Sequence, residues 1–207
     1  MSSPDGRVTA RWLPPFARTR LTAWRRDRAN RAAFGPEAPC YAERLWVDPR
    51  TITHAIIGLA REDSGRVWTG GDWPPPGAEV VPLQAIDKIA SCIEHFRDGV
   101  PWEETTHYRQ TGGAGKYADP GYWARYERLH AQVTQEGRLR TRREASPGTF
   151  RERGGILVHI GPQGEVYHGD GGNRRLAVAL VAELERIPAQ VGWVAAEAIP
   201  HLARLRG

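Results

Sequence analysis

The residues whose types and spacing could support chemistry lie in one glycine-rich segment near the C-terminal end of the sequence. In order, they are Gly169, Asp170, Gly171, Gly172, Asn173, Arg174 and Arg175, and an apolar stretch follows them directly. Adjacent glycines let the backbone approach a ligand, and a helix that starts there offers unpaired N–H groups and a positive dipole end. Two arginines in the first turn oppose that dipole, which favours carboxylates. A bound phosphate would offset this misfit, so the segment predicts an anion site.

Phosphoryl transfer at such a site also needs a group that orients the nucleophile and a divalent metal ion. The candidate catalytic residues are Asp170, His168 and His159 near the turn, and Glu103, Glu104 and His107 in a polar segment upstream. Asp170 is also the candidate Mg²⁺ ligand, because a carboxylate beside phosphates needs a cation between them. Structural alternatives stay open: a turn-shaping hydrogen bond for Asp170, packing for the histidines, and a helix N-terminus for the glutamates. The segment itself has a second interpretation, a glycine turn with Asn173 as the N-cap and two solvent-facing arginines.

The elements around the segment follow from hydrophobic periodicity. Residues 156–160 and 165–168 are strand-like and flank a tight turn, which predicts a β-hairpin. The apolar stretch after the glycines predicts a helix that starts at Asn173 or Arg174. A last strand is expected around residues 191–194. This order places the glycine-rich segment at a strand-to-helix junction.

Upstream, the sequence predicts a second group of elements. Arg44–Val47 is a short apolar strand, and Asp48 before a proline has the pattern of an N-cap that opens a helix over residues 50–60. Turns are expected in the glycine- and proline-rich stretch that follows. Apolar residues at helical spacing predict helices over residues 83–96 and 123–133, and a charged loop is expected over residues 138–153.

A polar loop is expected over residues 99–118, with its two glutamates and its histidine as lid groups. Its TGGAGK stretch resembles a phosphate-binding loop only superficially. A P-loop needs a glycine where Gln110 stands and a serine or threonine where Tyr117 stands, so this interpretation fails. Trp102 and Tyr108 in the same loop either stack on a base or pack in the core.

Composition and charge describe a chain with an arginine-rich start. The sequence has 207 residues, is 40% hydrophobic and 26% charged, and has a net charge of +5, which is typical of a folded domain without disulfide or metal support. Residues 1–31 hold eight arginines against Asp5 and Asp27, a net charge of +6. A helix that docks through Leu21 and Trp24 is expected there. Its arginines either are solvated or bind an acidic partner such as nucleic acid.

The glycine turn is similar to that of the ParB/sulfiredoxin superfamily. Gly-Asn-Arg-Arg at 172–175, preceded by Gly-Asp-Gly and followed by a helix and Ile-Pro-Ala-Gln-Val, resembles the Gly-Glu-Arg-Arg junction of ParB proteins and the Gly-Gly-Cys-His-Arg junction of sulfiredoxins. The resemblance covers roughly residues 120–195 and, more weakly, the strand with Val47-Asp48-Pro49. It implies an α+β fold with a small mixed sheet flanked by helices. Residues 41–207 would form this domain, with the polar loop inserted, and residues 1–40 would be an arginine-rich helical extension.

The resemblance also implies nucleotide binding, because this turn and its arginine hold the phosphates of ATP in sulfiredoxins and of CTP in ParB proteins. The implied nucleotide-binding residues are Gly171, Gly172, Asn173, Arg174 and Arg175. Arg175 coincides with the arginine that both motifs share, so it is the expected principal phosphate ligand. Asn173 stands where sulfiredoxins have their reactive cysteine, so repair of sulfinic acids is excluded. Since 13 residues follow Val194, we expect no downstream helix-turn-helix domain and no role in plasmid partition.

One main expectation results: a nucleoside-triphosphate-binding protein that uses ATP or CTP with Mg²⁺ as a phosphotransferase or NTPase. Its acceptor would be a small molecule or a protein. Two alternatives stay open, a nucleic-acid-binding module that uses the arginine-rich arm and a nucleotide-binding regulator without turnover. The sequence has no apolar run of roughly 18 residues and no CxxC pair, so we expect a cytoplasmic protein without a membrane span, zinc module or disulfide framework.

Overall fold

The computed structural model describes residues 14–207, which form seven β-strands and seven α-helices joined by loops and short 3₁₀ turns. The strands are β1 (Arg44–Val47), β2 (His54–Ile57), β3 (Val67–Trp68), β4 (Glu79–Pro82), β5 (Ile156–Ile160), β6 (Val166–His168) and β7 (Ile187–Ala195). The helices are α1 (Pro15–Phe34), α2 (Asp87–Phe96), α3 (Thr106–Thr111), α4 (Pro120–Glu136), α5 (Arg142–Ala145), α6 (Asn173–Val181) and α7 (Leu202–Arg206). Asp5, Arg7 and Arg11 of the predicted arm lie outside the described residues.

The seven strands form one mixed sheet in the order β1-β7-β5-β6-β2-β4, with β3 also pairing with β7. The pairs β1–β7, β2–β4 and β5–β6 are antiparallel, whereas β5–β7, β2–β6 and β3–β7 are parallel. The predicted α+β class, with a mixed sheet flanked by helices, is confirmed.

The core lies between this sheet and α6. Every residue of β5 and β7 is buried. Leu176 and Val178 of α6 are fully buried, and α2 and α4 pack against the same helix. Full burial of one large apolar side chain contributes about 1.5–3 kcal/mol. The start of α6 is therefore fixed by well-packed apolar neighbours.

The C-terminal third follows the sequence prediction. β5 and β6 form the antiparallel hairpin, and α6 begins at Asn173. Its N-cap is Gly172, which has the left-handed conformation with φ 76° and ψ 26°. β7 is longer than predicted and begins at Ile187. The glycine-rich segment thus does lie at a strand-to-helix junction.

The helix predicted over residues 50–60 is wrong. Asp48 caps as expected, since its side chain accepts a hydrogen bond from Arg50 N at 2.9 Å, but the resulting 3₁₀ turn ends at Thr51. β2 follows and pairs with β4 on one side and β6 on the other. Its β-branched Ile56 and Ile57 favour a strand. Pairing within the sheet therefore overrides the helix-capping pattern.

Two segments predicted as loops contain helices. Residues 99–118 hold α3, which packs against α2, and two 3₁₀ turns. Residues 138–153 hold α5, which begins with a capping box formed by Thr141 and Glu144. Conversely, β3 and β4 carry no alternating apolar pattern that would have predicted them.

The helix α1 docks through polar contacts, so the expected docking through Leu21 and Trp24 is wrong. Trp24 is 58% exposed, and Leu21 is only partly buried. Asn30 is buried instead, and its Nδ2 donates to the carbonyl oxygens of Pro39 and Gly65, each at 2.6 Å. Two paired backbone carbonyls therefore hold the C-terminal half of α1 in place.

Within residues 14–207, no helix combines the length and the apolar character that crossing a membrane requires.

Candidate functional site

The glycine turn, residues 169–172, is held against β5. Leu157 N donates to Gly171 O at 2.9 Å, and Gly169 N donates to Leu157 O at 2.8 Å. A Cβ on Gly171 would lie 2.9 Å from Leu157 Cβ, and one on Gly172 would lie 2.8 Å from Ile156 Cα. The glycines are thus required by close packing on β5. What the turn offers a ligand is the start of α6, which no side chain caps.

Three of the predicted site residues form a chain of hydrogen bonds at this turn. His168 Nε2 donates to Asn173 Oδ1, and Asn173 Nδ2 donates to Asp170 Oδ1, both at 2.7 Å. Arg61 donates to the backbone carbonyl of Asp170 and lies 3.7 Å from its Oδ2. Burial lowers the pKa of His168 in spite of the Asn173 hydrogen bond, so its ring is neutral. The Asp170 carboxyl group lies beside Arg61, at the mouth of the turn.

Arg174 is buried among aromatic rings. It is 8% exposed, and its guanidinium carbon lies 5.0 Å from the ring centroid of Tyr126, 5.1 Å from Tyr122 and 5.4 Å from Trp123. Its Nε and Nη2 have no hydrogen-bond partner among residues 14–207. Cation–π contacts offset only part of the cost of burying an unpaired charge. The arrangement thus leaves two buried donor atoms without a hydrogen-bond partner in the described protein.

Arg174 lies in a cleft of about 290 Å³ at the N-terminus of α6, the cationic cleft. The cleft is lined by Arg61, Lys88, Lys116, Tyr122, Arg125, Tyr126, Gly172, Asn173, Arg174 and Arg175. Six of these residues are cations and none of them carries a carboxylate. Asp170 lies 3.7 Å from Arg61, but the other five cations form no ion pair within residues 14–207. Like charges gathered in this way repel one another, and the positive end of the helix dipole adds to the potential. Electrostatics therefore favour a multiply charged anion in this cleft.

Arg175 contributes its charge to the cleft but has a protein partner. Its Nη2 donates to Arg140 O at 2.6 Å. Burial, and next the charge of Arg142, lower the pKa of Arg175 to about 10, so it stays cationic at neutral pH. Of the two neighbouring arginines, Arg174 has more donors free for a ligand, since its Nη2 is unpartnered and that of Arg175 is not.

His107 comes from the segment that was predicted to be a loop, and it lies near the cations of the cleft without lining it. Burial lowers the pKa of His107, and the charges of Arg174 and Lys88 lower it further. Its ring packs edge-on against Tyr117, with the centroids 4.9 Å apart. The Nε2 atom has no partner within residues 14–207. His107 is thus a neutral imidazole close to the cations that would hold a ligand.

His159 lies beneath the turn and faces no ligand. Its Nδ1 accepts a hydrogen bond from Trp193 N at 2.8 Å, so the neutral ring carries its proton on Nε2. A Cβ on Gly169 would lie 2.6 Å from that Nε2. Burial, and next the neighbouring His168, lower the pKa of His159 to about 3. This residue is a packing element of the turn.

Glu103 and Glu104 lie apart from these residues. Both are exposed on a 3₁₀ turn before α3, and neither lines the cationic cleft. Their neighbour Trp102 is 7% exposed and stacks on Trp123 with the ring centroids 4.5 Å apart. Tyr108 also packs against the core. Trp102 and Tyr108 thus pack in the core, which was one of the two roles that the sequence left open for them; the other was stacking on a base.

A second cleft, of about 280 Å³, adjoins the cationic cleft. The two share Arg61 and Gly172, so they meet at the glycine turn. The lining of the second cleft also includes Tyr41, Glu62 and Gln190. Arg153 also lines it, so the second cleft mixes neutral, acidic and basic groups, whereas six of the ten residues that line the first are cations.

Sequence reasoning missed four of the cleft's cations, Arg61, Lys88, Lys116 and Arg125. Lys116 ends the TGGAGK stretch. That stretch is no P-loop, since it leads into a 3₁₀ turn and follows no strand, yet its lysine lines the cleft. The one sequence feature that could have drawn attention to Lys116 is the rarity of lysine, because the chain has only two lysines, Lys88 and Lys116.

Comparisons of this chain with protein-family models, with curated proteins and with solved structures found no match.

Proposed function

We propose that the protein binds a nucleoside triphosphate, ATP or CTP, with its phosphates in the cationic cleft. The observation that carries the proposal is Arg174, a buried guanidinium at the N-terminus of a nine-residue helix with two unpartnered donors. Charge-assisted hydrogen bonds from a guanidinium to phosphate oxygens are among the strongest in proteins. The geometry supports Arg174 as the principal phosphate ligand, in place of Arg175, whose Nη2 is bonded to a backbone carbonyl.

The number of cations supports a polyphosphate over a single carboxylate. The other five charges of the cleft come from the 3₁₀ turn after β2, from α2, from the segment before α4, from α4 itself and from α6. An extended anion can contact several of these elements at once, and its charge offsets their mutual repulsion. The second cleft would then hold the nucleoside, beyond the glycine turn.

Turnover as a phosphotransferase or NTPase is the further part of the proposal, and it rests on Asp170, because His107 is buried and does not line the cleft. Mg²⁺ is commonly held by one or two carboxylates together with phosphate oxygens and water. Asp170 would be its protein ligand, although Asn173 and Arg61 already engage that carboxylate. Within residues 14–207, no group of three or more His, Cys, Asp or Glu side chains is placed to hold a metal ion. We therefore propose that binding of the triphosphate does not need Mg²⁺, whereas turnover does.

The proposal is tested by thermal shift with the four common nucleoside triphosphates and inorganic triphosphate, each with and without Mg²⁺. A ligand at 100 times its dissociation constant adds about 2.7 kcal/mol to the free energy of unfolding. Arg174→Met should lower the affinity by about 1.5–3 kcal/mol, because the methionine fills the space between the rings but offers no donor. Arg143→Met, at an exposed position of α5, is the matched control and should leave affinity unchanged.

Asp170→Asn separates binding from turnover. It should keep metal-free triphosphate binding and lose phosphate release, measured with a coupled phosphate assay. If no triphosphate stabilises the protein, or if a folded Arg174→Met variant binds as tightly as the parent, the nucleotide-binding proposal is wrong. If Asp170→Asn keeps full turnover, only the role of Asp170 is wrong.

A further inference from the structure

One face of α1 combines exposed aromatic and arginine side chains in an order that the proposed nucleotide site does not use. Phe16, Arg20, Trp24 and Arg28 follow one another at intervals of four residues, so they form one stripe along the helix. Phe16 is 56% exposed and Trp24 is 58% exposed. We refer to these four residues and Arg31 as the aromatic–arginine stripe.

Along the stripe, arginine side chains alternate with aromatic rings, and each of two guanidinium groups lies over a ring. The guanidinium carbon of Arg20 lies 4.5 Å from the ring centroid of Phe16, and that of Arg28 lies 5.6 Å from the centroid of Trp24. Trp24, Arg28 and Arg31 also line a shallow groove of about 540 Å³. Asp27 and Ala32 complete the lining of this groove, and Phe16 and Arg20 lie outside it. The stripe therefore presents two exposed rings and three positive charges along one line of the helix.

The rest of the described protein leaves this stripe uncovered. Asn30, Ala23 and Thr19 are the buried residues of α1, and at about 3.6 residues per turn they lie roughly a quarter turn around the helix from the stripe. Arg26, also away from the stripe, pairs with Asp63 at 3.3 Å. By contrast, none of the three arginines of the stripe forms an ion pair within residues 14–207. Their positive charge is thus not neutralised by the part of the protein that the structure describes.

We propose that the aromatic–arginine stripe binds single-stranded nucleic acid. Exposed rings stack on unpaired bases, and interleaved arginines contact the phosphates between them. A duplex keeps its base faces stacked inside, so Phe16 and Trp24 would gain nothing from it. A helix that lies on a membrane separates its apolar face from its cationic face, whereas here the two kinds of residue share one stripe. The positive charge and the exposed rings of the stripe together favour single-stranded nucleic acid over a duplex or a membrane surface.

The test is the fluorescence anisotropy of a labelled oligothymidylate of about 20 nucleotides, titrated with the full chain at several salt concentrations. Trp24→Leu should weaken binding at least about fivefold by removing one stacking surface, and Trp24→Phe should largely restore it. Replacing Arg20, Arg28 and Arg31 with Gln should weaken binding further and reduce the slope of log affinity against log salt by about 2, because each phosphate contact contributes about 0.7.

The matched control replaces three exposed arginines of other elements, Arg97, Arg109 and Arg143, with Gln. It makes the same change in net charge and should leave most of the affinity intact. The proposal is overturned if the control triple variant weakens binding as much as the stripe variant, or if Trp24→Leu binds like the parent. Equal affinity for a duplex of the same length, or for vesicles of anionic lipid, would also overturn it.

Discussion

Two regions of this protein place guanidinium groups over aromatic rings, and they differ in how much water reaches them. In the cationic cleft, Arg174 is 8% exposed and contacts rings of α4 and of the segment before it. In the aromatic–arginine stripe, the rings themselves are more than half exposed. Water screens charges on the stripe but screens a buried charge much less. This difference in exposure is why we propose a small anion as the ligand of the cationic cleft and a long flexible polyanion as the ligand of the stripe.

The two regions also differ in how their backbones are held. Gly172 begins α6 with φ +76° and is packed against β5, whereas Gly35 ends α1 with φ +82° and has no atom within 4 Å of the position a Cβ would take. At Gly172, both close packing and the backbone torsion angles require glycine. At Gly35, only the torsion angles do.

The largest effect expected from this difference is on stability. Gly172→Ala should lower the free energy of unfolding by roughly 2–5 kcal/mol, since a left-handed backbone costs about 1–2 kcal/mol and overpacking about 1–3 kcal/mol. Gly35→Ala should cost less, about 1–3 kcal/mol from the torsion alone, because φ 82° with ψ −173° is a combination that essentially only glycine adopts. Urea denaturation of both variants measures the difference. Equal losses would mean that the glycine turn is not tightly packed on β5.

Low pH should lower the free energy of unfolding through the buried histidines near the glycine turn, and not through α1. The pKa of His159 is lowered to about 3, and those of His107 and His168 are also lowered, chiefly by burial. Their unfolded pKa values are near 6.5, so the unfolded chain binds protons first. The contribution of these histidines to the free energy of unfolding is fully present above pH 6.5, and it is lost as the pH decreases toward their pKa values in the folded protein. His159 alone should account for about 2 kcal/mol at pH 5.

Chemical denaturation between pH 7 and pH 5 checks this expectation. His159→Asn keeps an acceptor for Trp193 N–H but does not titrate, so its stability should change less over that range. A parent protein that is as stable at pH 5 as at pH 7 would contradict the burial of these rings.

The dependence of affinity on salt concentration should distinguish the two proposed anion-binding regions. If the three arginines of the stripe each neutralise one phosphate, a fourfold rise in salt should weaken oligonucleotide binding about 20-fold. Triphosphate binding in the cationic cleft should fall much less, because its principal ligand, Arg174, is buried. Parallel titrations of both ligands at two salt concentrations measure the contrast. Identical salt dependence would contradict the proposed difference between a buried and an exposed site.

The smallest effect is expected from the ion pair that helps to attach α1. Arg26 and Asp63 are both partly exposed, and such pairs contribute about 0–1 kcal/mol. Arg26→Gln should therefore change the urea midpoint only slightly and leave oligonucleotide binding as it is. A large loss of stability would mean that α1 is attached mainly by charge and not by the Asn30 hydrogen bonds.

The sequence predicted the C-terminal third of the fold because local patterns and tertiary environment agree there. The strands around Ile156 and Tyr167, the glycine turn and the helix from Asn173 all carry strong patterns of their own. Around residues 50–60 these two influences disagree. Asp48 is an N-cap, but the residues after it form strand β2 of the sheet. Strand pairing between distant segments of the chain leaves no local sequence pattern that could be detected.

The candidate site was predictable only where it is contiguous in sequence. Asp170, Asn173 and Arg174 lie in one segment, and the prediction that they lie together at a strand-to-helix junction is confirmed. Lys88 and Arg61 reach the same cleft from elements far away in the chain, and nothing in their local sequence distinguishes them from solvated residues. Nor does the sequence indicate that Arg175 binds a backbone carbonyl while Arg174 does not.

The distribution of lysine gives the cleft a property useful in the laboratory. The chain has only Lys88 and Lys116 as lysines, and both line the cationic cleft. Amine-reactive labels therefore modify side chains only at this cleft, although the chain has 29 basic residues in all. Mass spectrometry of labelled protein, with and without a candidate ligand, thus becomes a footprint of a single cavity that requires no engineered tag.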